Sequence, residues 1–280
     1  GTFNIERNAV GTSRVLEAAN ETGLVRKVLY AASSTYYGNQ DVPFKEDDSF
    51  VPTSPYAASK YMGELAMATN DVLYGLPTLS LRLFMVYGPR NPSQGAYAVV
   101  TGKFLQRWKE GLPLLIEGTG ENFRDFVHVK DVVRAFILGY QSSAHGTVIN
   151  IGTGIVHSVK DVADLISSKQ EHVAARKNDL RGTMANTCRA RSMLHFEAIY
   201  DFMGTMAEMM QSAKEGEVEY LAPMWRNKAV LAAVESAVPG WRRDLPLSER
   251  NDRLLPAVRS NPSLLKELAG SYSEESRTDL

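Results

Sequence analysis

Two short apolar runs separated by a longer helical pattern constrain the fold of this chain most. The run KVLYAASS, residues 27–34, is apolar up to its two serines, which is typical of a buried parallel strand. A second run, TLSLRLFMVYG, covers residues 78–88. Between them, Ser54 is a good N-cap, and Gly75 ends a predicted helix from Pro55 to Tyr74. This order predicts a parallel sheet covered by helices on both faces.

The residues after this sheet predict a smaller mixed α/β module and then a helical extension. Helices are expected near 98–110, 129–142 and 158–168, and strands at PLLIEG and TVINIG. The segment IYDFMGTMAEMMQSAKEG has four methionines at helical spacing, which indicates a packed or partner-facing helix. The last ten residues, SYSEESRTDL, are expected to be disordered.

The charge balance argues against several classes of partner. The chain has 31 basic and 32 acidic side chains, so no basic excess indicates nucleic-acid binding. Its apolar stretches are too short to span a bilayer. The five histidines and the single cysteine, Cys188, lack metal-ligand spacing, so no metal site is predicted. One cysteine without an apolar leader favours a cytoplasmic protein.

Tyr56 and Lys60 lie four residues apart in the motif SPYAASKYMGE, on one face of the predicted helix. A neighbouring ammonium favours the phenolate and so lowers the pKa of a tyrosine, which lets the tyrosine act as a base. Tyr-x-x-x-Lys is a common pattern, however. Its spacing alone favours a solvated helix surface over a catalytic pair.

Three further groups leave alternatives open. Ser33 and Ser34 end a strand, where ligands of open α/β sheets bind, but small residues also simply fit there. Arg124 could bind a phosphate or pair with Asp125 beside it. His128 is equally consistent with a structural residue and a ligand contact.

The sequence contains no G-x-G-x-x-G turn and no Walker loop. Two Gly-x-Gly pairs, Gly118/Gly120 and Gly152/Gly154, lack the third glycine at the required spacing. The phosphate-binding turn of a dinucleotide fold is therefore not found in these residues.

Six motifs in order carry a resemblance to a known family: NAVGTSRVLEAA, VLYAASSTYYG, SPYAASKYMGE, LSLRLFMVYGPRNP, GTGENFRDFVHVKDVVRA and VINIGTG. Together they resemble the extended short-chain dehydrogenase/reductase family, in its nucleotide-sugar epimerase/dehydratase branch, over residues 4–196. The resemblance implies a Rossmann-like doubly wound parallel sheet, a smaller substrate domain, NAD as cofactor and a nucleoside-diphosphate sugar as substrate. It also implies a homodimer.

The resemblance assigns roles to individual residues. It implies that Tyr56 is the catalytic base, that Lys60 lowers the pKa of Tyr56 and binds the nicotinamide ribose, and that Ser33 is their hydroxyl partner. Asn8 resembles an asparagine near the nicotinamide. Two arginines, Arg124 and Arg176, resemble those that hold the substrate diphosphate. Tyr56 and Lys60 thereby become the best candidates for an acid–base centre.

The implied reaction is transient oxidation of a sugar hydroxyl to a keto-sugar, followed by hydride return to the other face. A dehydratase of this family has Asp-Glu after the hydroxyl residue, where this chain has Ser34 and Thr35. The resemblance therefore favours a UDP-sugar 4-epimerase. Met85 stands where the family often has a substrate-binding asparagine, and a methionine cannot make that hydrogen bond.

The resemblance also divides the chain. Residues 1–88 correspond to the second half of a Rossmann domain, 89–197 mainly to the interleaved sugar-nucleotide domain, and 198–280 to a helical extension. The first βαβαβ half of the family, with its glycine-rich turn, would precede residue 1, so we expect the chain as given to be inactive. The alternative is a non-catalytic truncated member that serves as an interaction module.

Overall fold

A computed structural model of the chain describes residues 1–94, 98–175 and 180–215, with four single positions at 235, 236, 238 and 240. The chain forms two compact units, Gly1–Met210 and Gln211–Leu280. The expected disorder of the last ten residues lies outside the described part. The predicted three-part division was not tested and stays a prediction.

Helices and strands alternate through the first unit. The α-helices are α1 (Thr2–Asn4), α2 (Gly11–Thr22), α3 (Pro55–Tyr74), α4 (Val100–Lys109), α5 (Val129–Gln141), α6 (Val159–Ile166), α7 (Cys188–Leu194) and α8 (Phe202–Glu215), of which α8 runs past Met210. A π-helical turn, Ile5–Val10, joins α1 to α2. The strands are β1 (Val28–Ser33), β2 (Thr78–Leu83), β3 (Met85–Tyr87), β4 (Leu114–Glu117), β5 (Phe123–His128), β6 (Thr147–Ile151), β7 (Val156–Ser158) and β8 (Gln170–Val173).

The predicted parallel sheet is confirmed as the three-stranded sheet β1-β2-β6. Its registers pair Val28 with Thr78 and Leu79 with Thr147. The apolar side chains of β2 and the carboxyl end of β6 are buried, whereas β1 is only partly buried before Ala32. The carboxyl end of β1 is Ser33, so the predicted serine lies at the edge where such sheets bind ligands.

The run 78–88 is not one strand, as its sequence predicts, but two strands in different sheets. β2 pairs with β1 and β6, whereas β3 pairs with β5. The break falls at Phe84, whose N–H donates to the Ile151 carbonyl at 3.1 Å. The Phe84 side chain is buried against Tyr37 and Phe44. The chain thereby passes from one sheet to the other at Phe84, whose side chain packs into a separate apolar cluster.

The helix α3 has the predicted ends. The Ser54 hydroxyl accepts the N–H of Ala57 at 3.1 Å, and Pro55 occupies the first turn, where its missing N–H costs nothing. Gly75 ends the helix at φ 68°, a left-handed conformation that glycine adopts without strain. The first turns of α3, with Tyr56 and Lys60, are therefore fixed by local sequence.

The smaller module packs around a second apolar cluster, centred on Phe126 of β5 and Leu114 and Ile116 of β4. Met206 and Met209 of α8 are buried in this cluster, whereas Met203 is 45% exposed. Of the two interpretations of the methionine-rich helix, the structure supports packing. Among the described residues, none of the helices is both long and apolar enough to cross a membrane.

Candidate active site

The start of α3 and the end of β1 meet. Ala32 on β1, Tyr36 in the turn that follows and Ala57 on α3 form one buried cluster. Ser33 and Tyr56 each adjoin a member of that cluster. Ser33 is 5% exposed, and Tyr56 is half-buried. The structure therefore brings the predicted hydroxyl and the predicted base to the same end of the sheet.

The Ser33 hydroxyl already has partners within its own turn. Its Oγ lies 2.9 Å from Thr35 Oγ1, and it accepts the Thr35 N–H at 3.3 Å. Ser33 thus caps the 3₁₀ turn Ser34–Tyr37. Thr35 was not among the predicted site residues, although a run of three hydroxyl residues after a buried strand is a visible signal.

Lys60 is half-buried on α3, one helical turn beyond Tyr56. Its Nζ lies 4.2 Å from the centroid of the Tyr30 ring. Loss of hydration on burial lowers the pKa of Lys60 to about 8. Lys60 is therefore still mostly protonated at neutral pH, as a cation that favours the phenolate must be, but it loses its charge within the weakly alkaline range.

Replacing Lys60 with methionine is expected to raise the stability of the protein at pH 7 by on the order of 1 kcal/mol, after allowance for the water that still reaches the ammonium. The folded-state pKa lies below the ordinary value of 10.5, so the charge costs folding free energy at pH values below about 8. That cost disappears as the pH rises to 10.5. Urea unfolding at pH 7 and pH 10 measures this, and an advantage that does not shrink with pH would contradict it.

Asn8 lies in the π-helical turn and binds the helix that carries Tyr56. Its Nδ2 donates to Ser59 Oγ at 2.9 Å, and Ser59 Oγ donates to the Tyr56 carbonyl at 2.8 Å. The Asn8 carbonyl accepts from Thr12 Oγ1 at 2.6 Å. The structure thus brings Asn8, Tyr56 and Lys60 together. π-Helical turns are frequent at functional sites.

A buried ionic network below the site was missed by sequence reasoning. Arg82 on β2 is 2% exposed and donates to both oxygens of Glu64 on α3, at 3.0 and 2.6 Å. The Tyr36 hydroxyl also donates to Glu64. Arg82 donates further to Tyr37 Oη at 2.6 Å and to the Glu46 carbonyl at 2.8 Å. The network ties the helix of Tyr56 to the sheet and to the loop after Ser33.

The network keeps its charges in spite of burial. Burial disfavours the guanidinium, but the hydrogen bonds and the charge of Glu64 outweigh this and raise the pKa of Arg82. Burial raises the pKa of Tyr36, so its hydroxyl stays a donor. The signal in the sequence was a lone arginine in the otherwise apolar strand TLSLRLF.

A cavity of about 180 Å³ lies beside β3 and β5 and contains Arg124 and Met85. These residues share the cavity because Met85 pairs with Phe126, two positions beyond Arg124 on the adjacent strand. The other polar residues of its lining are Lys103, Glu117 and Asn122. Two cationic side chains and one acidic side chain therefore line one cavity, and the excess of positive charge suits an anionic group.

Arg124 and Asp125, which the sequence allows to pair, do not form an ion pair in the structure. Asp125 is fully buried and accepts from the N–H groups of Thr153, Gly154 and Ala185 at 2.8, 2.9 and 3.0 Å, and from Thr153 Oγ1 at 2.7 Å. Its carboxylate holds two loops against β5. Successive residues of a strand face opposite sides, which separates Arg124 from Asp125.

His128 is a buried residue at the start of α5. Its Nδ1 accepts the N–H of Lys130 at 3.4 Å, and its ring lies 4.4 Å from that of Tyr200. Burial lowers the pKa of His128. These contacts favour the structural interpretation. Arg176, the second predicted diphosphate ligand, lies outside the described residues.

The sequence of the chain is similar to that of a family of known enzymes. The model of the NAD dependent epimerase/dehydratase family matches residues 3–152. A UDP-glucose 4-epimerase from Mycolicibacterium smegmatis is 34% identical over 203 residues, which are 70% of this chain and 64% of that protein. A UDP-N-acetyl-alpha-D-glucosaminuronate decarboxylase from Bacillus cytotoxicus is 36% identical over 185 residues, 62% of this chain and 56% of that protein.

The chain is also similar in structure to a UDP-sugar epimerase. The UDP-glucose 4-epimerase of Thermotoga maritima, determined with UDP-glucose, superposes with a TM-score of 0.71 at 29% identity. The alignment covers 75% of this chain and 70% of that structure. The chain spans less than two thirds of the length of the two curated relatives named above.

Proposed function

Because this chain belongs to the NAD-dependent epimerase/dehydratase family, we propose that it carries the acid–base and sugar-nucleotide residues of a UDP-sugar 4-epimerase. The observation that carries the proposal is the placement of Tyr56 and Lys60 at the start of α3, beside Ser33 at the carboxyl end of β1. The fold is the Rossmann-type α/β fold of these epimerases. The substrate, the reaction and the roles of individual residues are proposals.

NAD is the cofactor of this family, and the side chains around Lys60 fit its nicotinamide ribose. A half-buried ammonium and a phenol on one helix face are hydrogen-bonding groups suited to two ribose hydroxyls. Asn8 holds that helix in place through Ser59. Bound NAD supplies the hydride acceptor, and later the hydride donor, for the sugar carbon.

The residues of this chain move the proton and orient the sugar. Lys60 stabilises the Tyr56 phenolate, and the phenolate removes the proton from the sugar hydroxyl as the carbon is oxidised. Ser33 would hydrogen-bond the reacting oxygen. When the hydride returns to the other face, Tyr56 gives its proton back. The substrate is epimerised without net oxidation.

The cavity beside β3 and β5 is proposed to hold the nucleoside diphosphate. Arg124 and Lys103 line it, and guanidinium and ammonium groups bind phosphate oxygens through charge-assisted hydrogen bonds. Met85 contributes an apolar wall. At about 180 Å³ the described cavity holds only part of a sugar nucleotide.

Replacing Arg124 with glutamine is expected to weaken UDP binding by about 10- to 100-fold, because it removes one charge-assisted contact with the diphosphate. Isothermal titration calorimetry with UDP measures the change. Arg14→Gln is the matched control, since Arg14 is exposed on α2. Equal affinities of the two variants would place the diphosphate elsewhere.

The reaction itself is tested with this chain joined to the first βαβαβ half of the family, because the chain as given is expected to be inactive. The joined protein is incubated with NAD and each of UDP-glucose, UDP-glucuronate and UDP-N-acetylglucosamine. Chromatography of the released sugars is expected to find the 4-epimer of one of them. The decarboxylase relative motivates a second measurement, the release of CO₂ from UDP-N-acetylglucosaminuronate. Release of CO₂ without epimer would replace the epimerase assignment. The relatives give no support to the non-catalytic alternative.

The assembly and the location of the protein are also proposals. Met62 and Leu65 on α3 are 45% and 48% exposed, and Val72 and Leu73 more so, which suits a helix that packs against its copy in a cytoplasmic homodimer. Light scattering is expected to give twice the chain mass of 30.9 kDa. The mass of a single chain would contradict the dimer.

A further inference from the structure

Tyr30, in β1, contacts Lys60 through both its ring and its hydroxyl group. The face of the Tyr30 ring lies 4.2 Å from Lys60 Nζ. The Tyr30 hydroxyl donates to the Lys60 main-chain carbonyl at 3.1 Å. One aromatic residue of the sheet therefore fixes both the backbone and the ammonium of the lysine proposed to assist Tyr56.

Tyr30 is itself closely held. A Cβ atom placed on Gly63 would lie 2.3 Å from Tyr30 Oη and 3.2 Å from Thr12 Oγ1, so the phenol fills the space between α3 and α2. Burial raises the pKa of Tyr30 to about 12, a hydrogen bond with Thr12 opposes this, and Tyr56 and Glu64 add to it. The hydroxyl stays protonated and keeps its bond to Lys60.

The Tyr30 ring offsets part of the hydration free energy that the Lys60 ammonium loses on burial. An ammonium removed from water loses hydration, which favours the neutral amine. An aromatic face attracts the cation through its quadrupole, and this attraction grows when the cation is desolvated. Arg7, in the π-helical turn, lines a groove together with Tyr30. Tyr56 and Glu64 are titratable groups of α3 that interact electrostatically with Tyr30. Glu64 is committed to Arg82.

We infer that Tyr30 is a positioning residue for the Tyr56–Lys60 pair: its ring sets where the Lys60 ammonium lies and keeps that ammonium charged beside Tyr56. The catalytic meaning of this inference rests on the proposed function. The contact itself can be tested without turnover.

The test is the charge of Lys60 in the full chain and in Tyr30→Leu and Tyr30→Phe variants. The rate of Lys60 acetylation is followed by mass spectrometry as a function of pH, and its midpoint gives the pKa of the amine. Tyr30→Leu removes the ring but still covers Nζ with apolar atoms, so the midpoint is expected to fall by about one pH unit. Tyr30→Phe keeps the ring, and its midpoint is expected to stay at the wild-type value.

Two controls keep the result specific. Leu79→Ala, at a fully buried position of β2, destabilises the sheet and is expected to leave the Lys60 midpoint unchanged. Tyr30→Met repeats the measurement if circular dichroism finds the leucine variant unfolded. A midpoint that is unchanged or raised in Tyr30→Leu or Tyr30→Met overturns the inference.

The pH profile of epimerisation gives a second readout. With less charge at Lys60, the Tyr56 phenolate is less stable, so the acidic limb of kcat/KM is expected to move to higher pH in Tyr30→Leu and not in Tyr30→Phe. A fall in rate at all pH values without a moved limb would indicate a structural role and overturn the inference. If the wild-type chain joined to the first βαβαβ half has no turnover while the acetylation midpoint falls as expected, the proposed function fails and the placement of Lys60 by Tyr30 stands.

Discussion

In the complete enzyme, with the first βαβαβ half present, replacing Tyr56 with phenylalanine is expected to lower turnover of the UDP-sugar by about 10²- to 10⁴-fold, the usual contribution of a positioned acid–base group. The phenyl ring keeps the half-buried volume of the side chain, so the fold and the start of α3 remain. Sugar-nucleotide affinity is expected to stay nearly intact, because the proposed diphosphate contacts come from Arg124 and Lys103. Initial rates and calorimetric UDP titration measure the two effects separately.

The matched control is Tyr74→Phe, which makes the same chemical change on the same helix. Tyr74 is 69% exposed at the far end of α3, so this variant is expected to retain wild-type turnover. Turnover by Tyr56→Phe within twofold of the control would exclude Tyr56 as the base. A parallel loss of UDP affinity would indicate that Tyr56 mainly binds.

Replacing Arg82 with methionine is expected to destabilise the protein by about 3–5 kcal/mol, because it leaves a buried carboxylate without its cation. Glu64 is 4% exposed, and of the side chains described as donating to its carboxylate only Tyr36 would remain. Urea unfolding followed by circular dichroism measures the change. The exposed Arg14→Met is the control, with an expected change within about 0.5 kcal/mol.

A double-mutant cycle separates the ion pair from the volume of the side chains. Glu64→Met alone strands the Arg82 guanidinium, whereas the double variant removes both charges and refills the space with apolar atoms. The double variant is therefore expected to be more stable than the sum of the two single changes implies, by at least about 2 kcal/mol. Additive effects would mean that the bidentate contact contributes little.

The local sequence predicted the elements that position the site because their signals are local. The Ser54-Pro55 start and the Gly75 end determine α3, and an apolar run determines β1, so Ser33, Tyr56 and Lys60 lie at the expected places. The broad α/β fold follows from the same patterns. Spacing alone does not decide whether Tyr56 and Lys60 form a catalytic pair, which stays a prediction. The contacts around the two residues come from β1 and from the π-helical turn, which are distant in the sequence.

The features that were missed depend on contacts between distant residues. Phe84 divides a continuous apolar run because its side chain packs against Tyr37 and Phe44, which lie far from it in the sequence. The Arg82–Glu64 pair joins positions 18 apart, and the main-chain donors of Asp125 come from two later loops. The two members of each contact are far apart in the sequence, so a local pattern does not show them. Whether Arg124 pairs with Asp125 also depends on such distant partners and stays open until the chain is folded.

The glycine at position 63 has a consequence for engineering this protein. Glycine inside a helix costs about 1 kcal/mol relative to alanine, which makes α3 an obvious target for a stabilising Gly→Ala exchange. Here the added methyl group would meet the Tyr30 hydroxyl oxygen at 2.3 Å. Either the Tyr30 side chain or the helix would have to shift to make room for it. A choice of substitutions by helix propensity alone would select Gly63→Ala. Its gain in propensity would be offset by the loss of the Tyr30 contact.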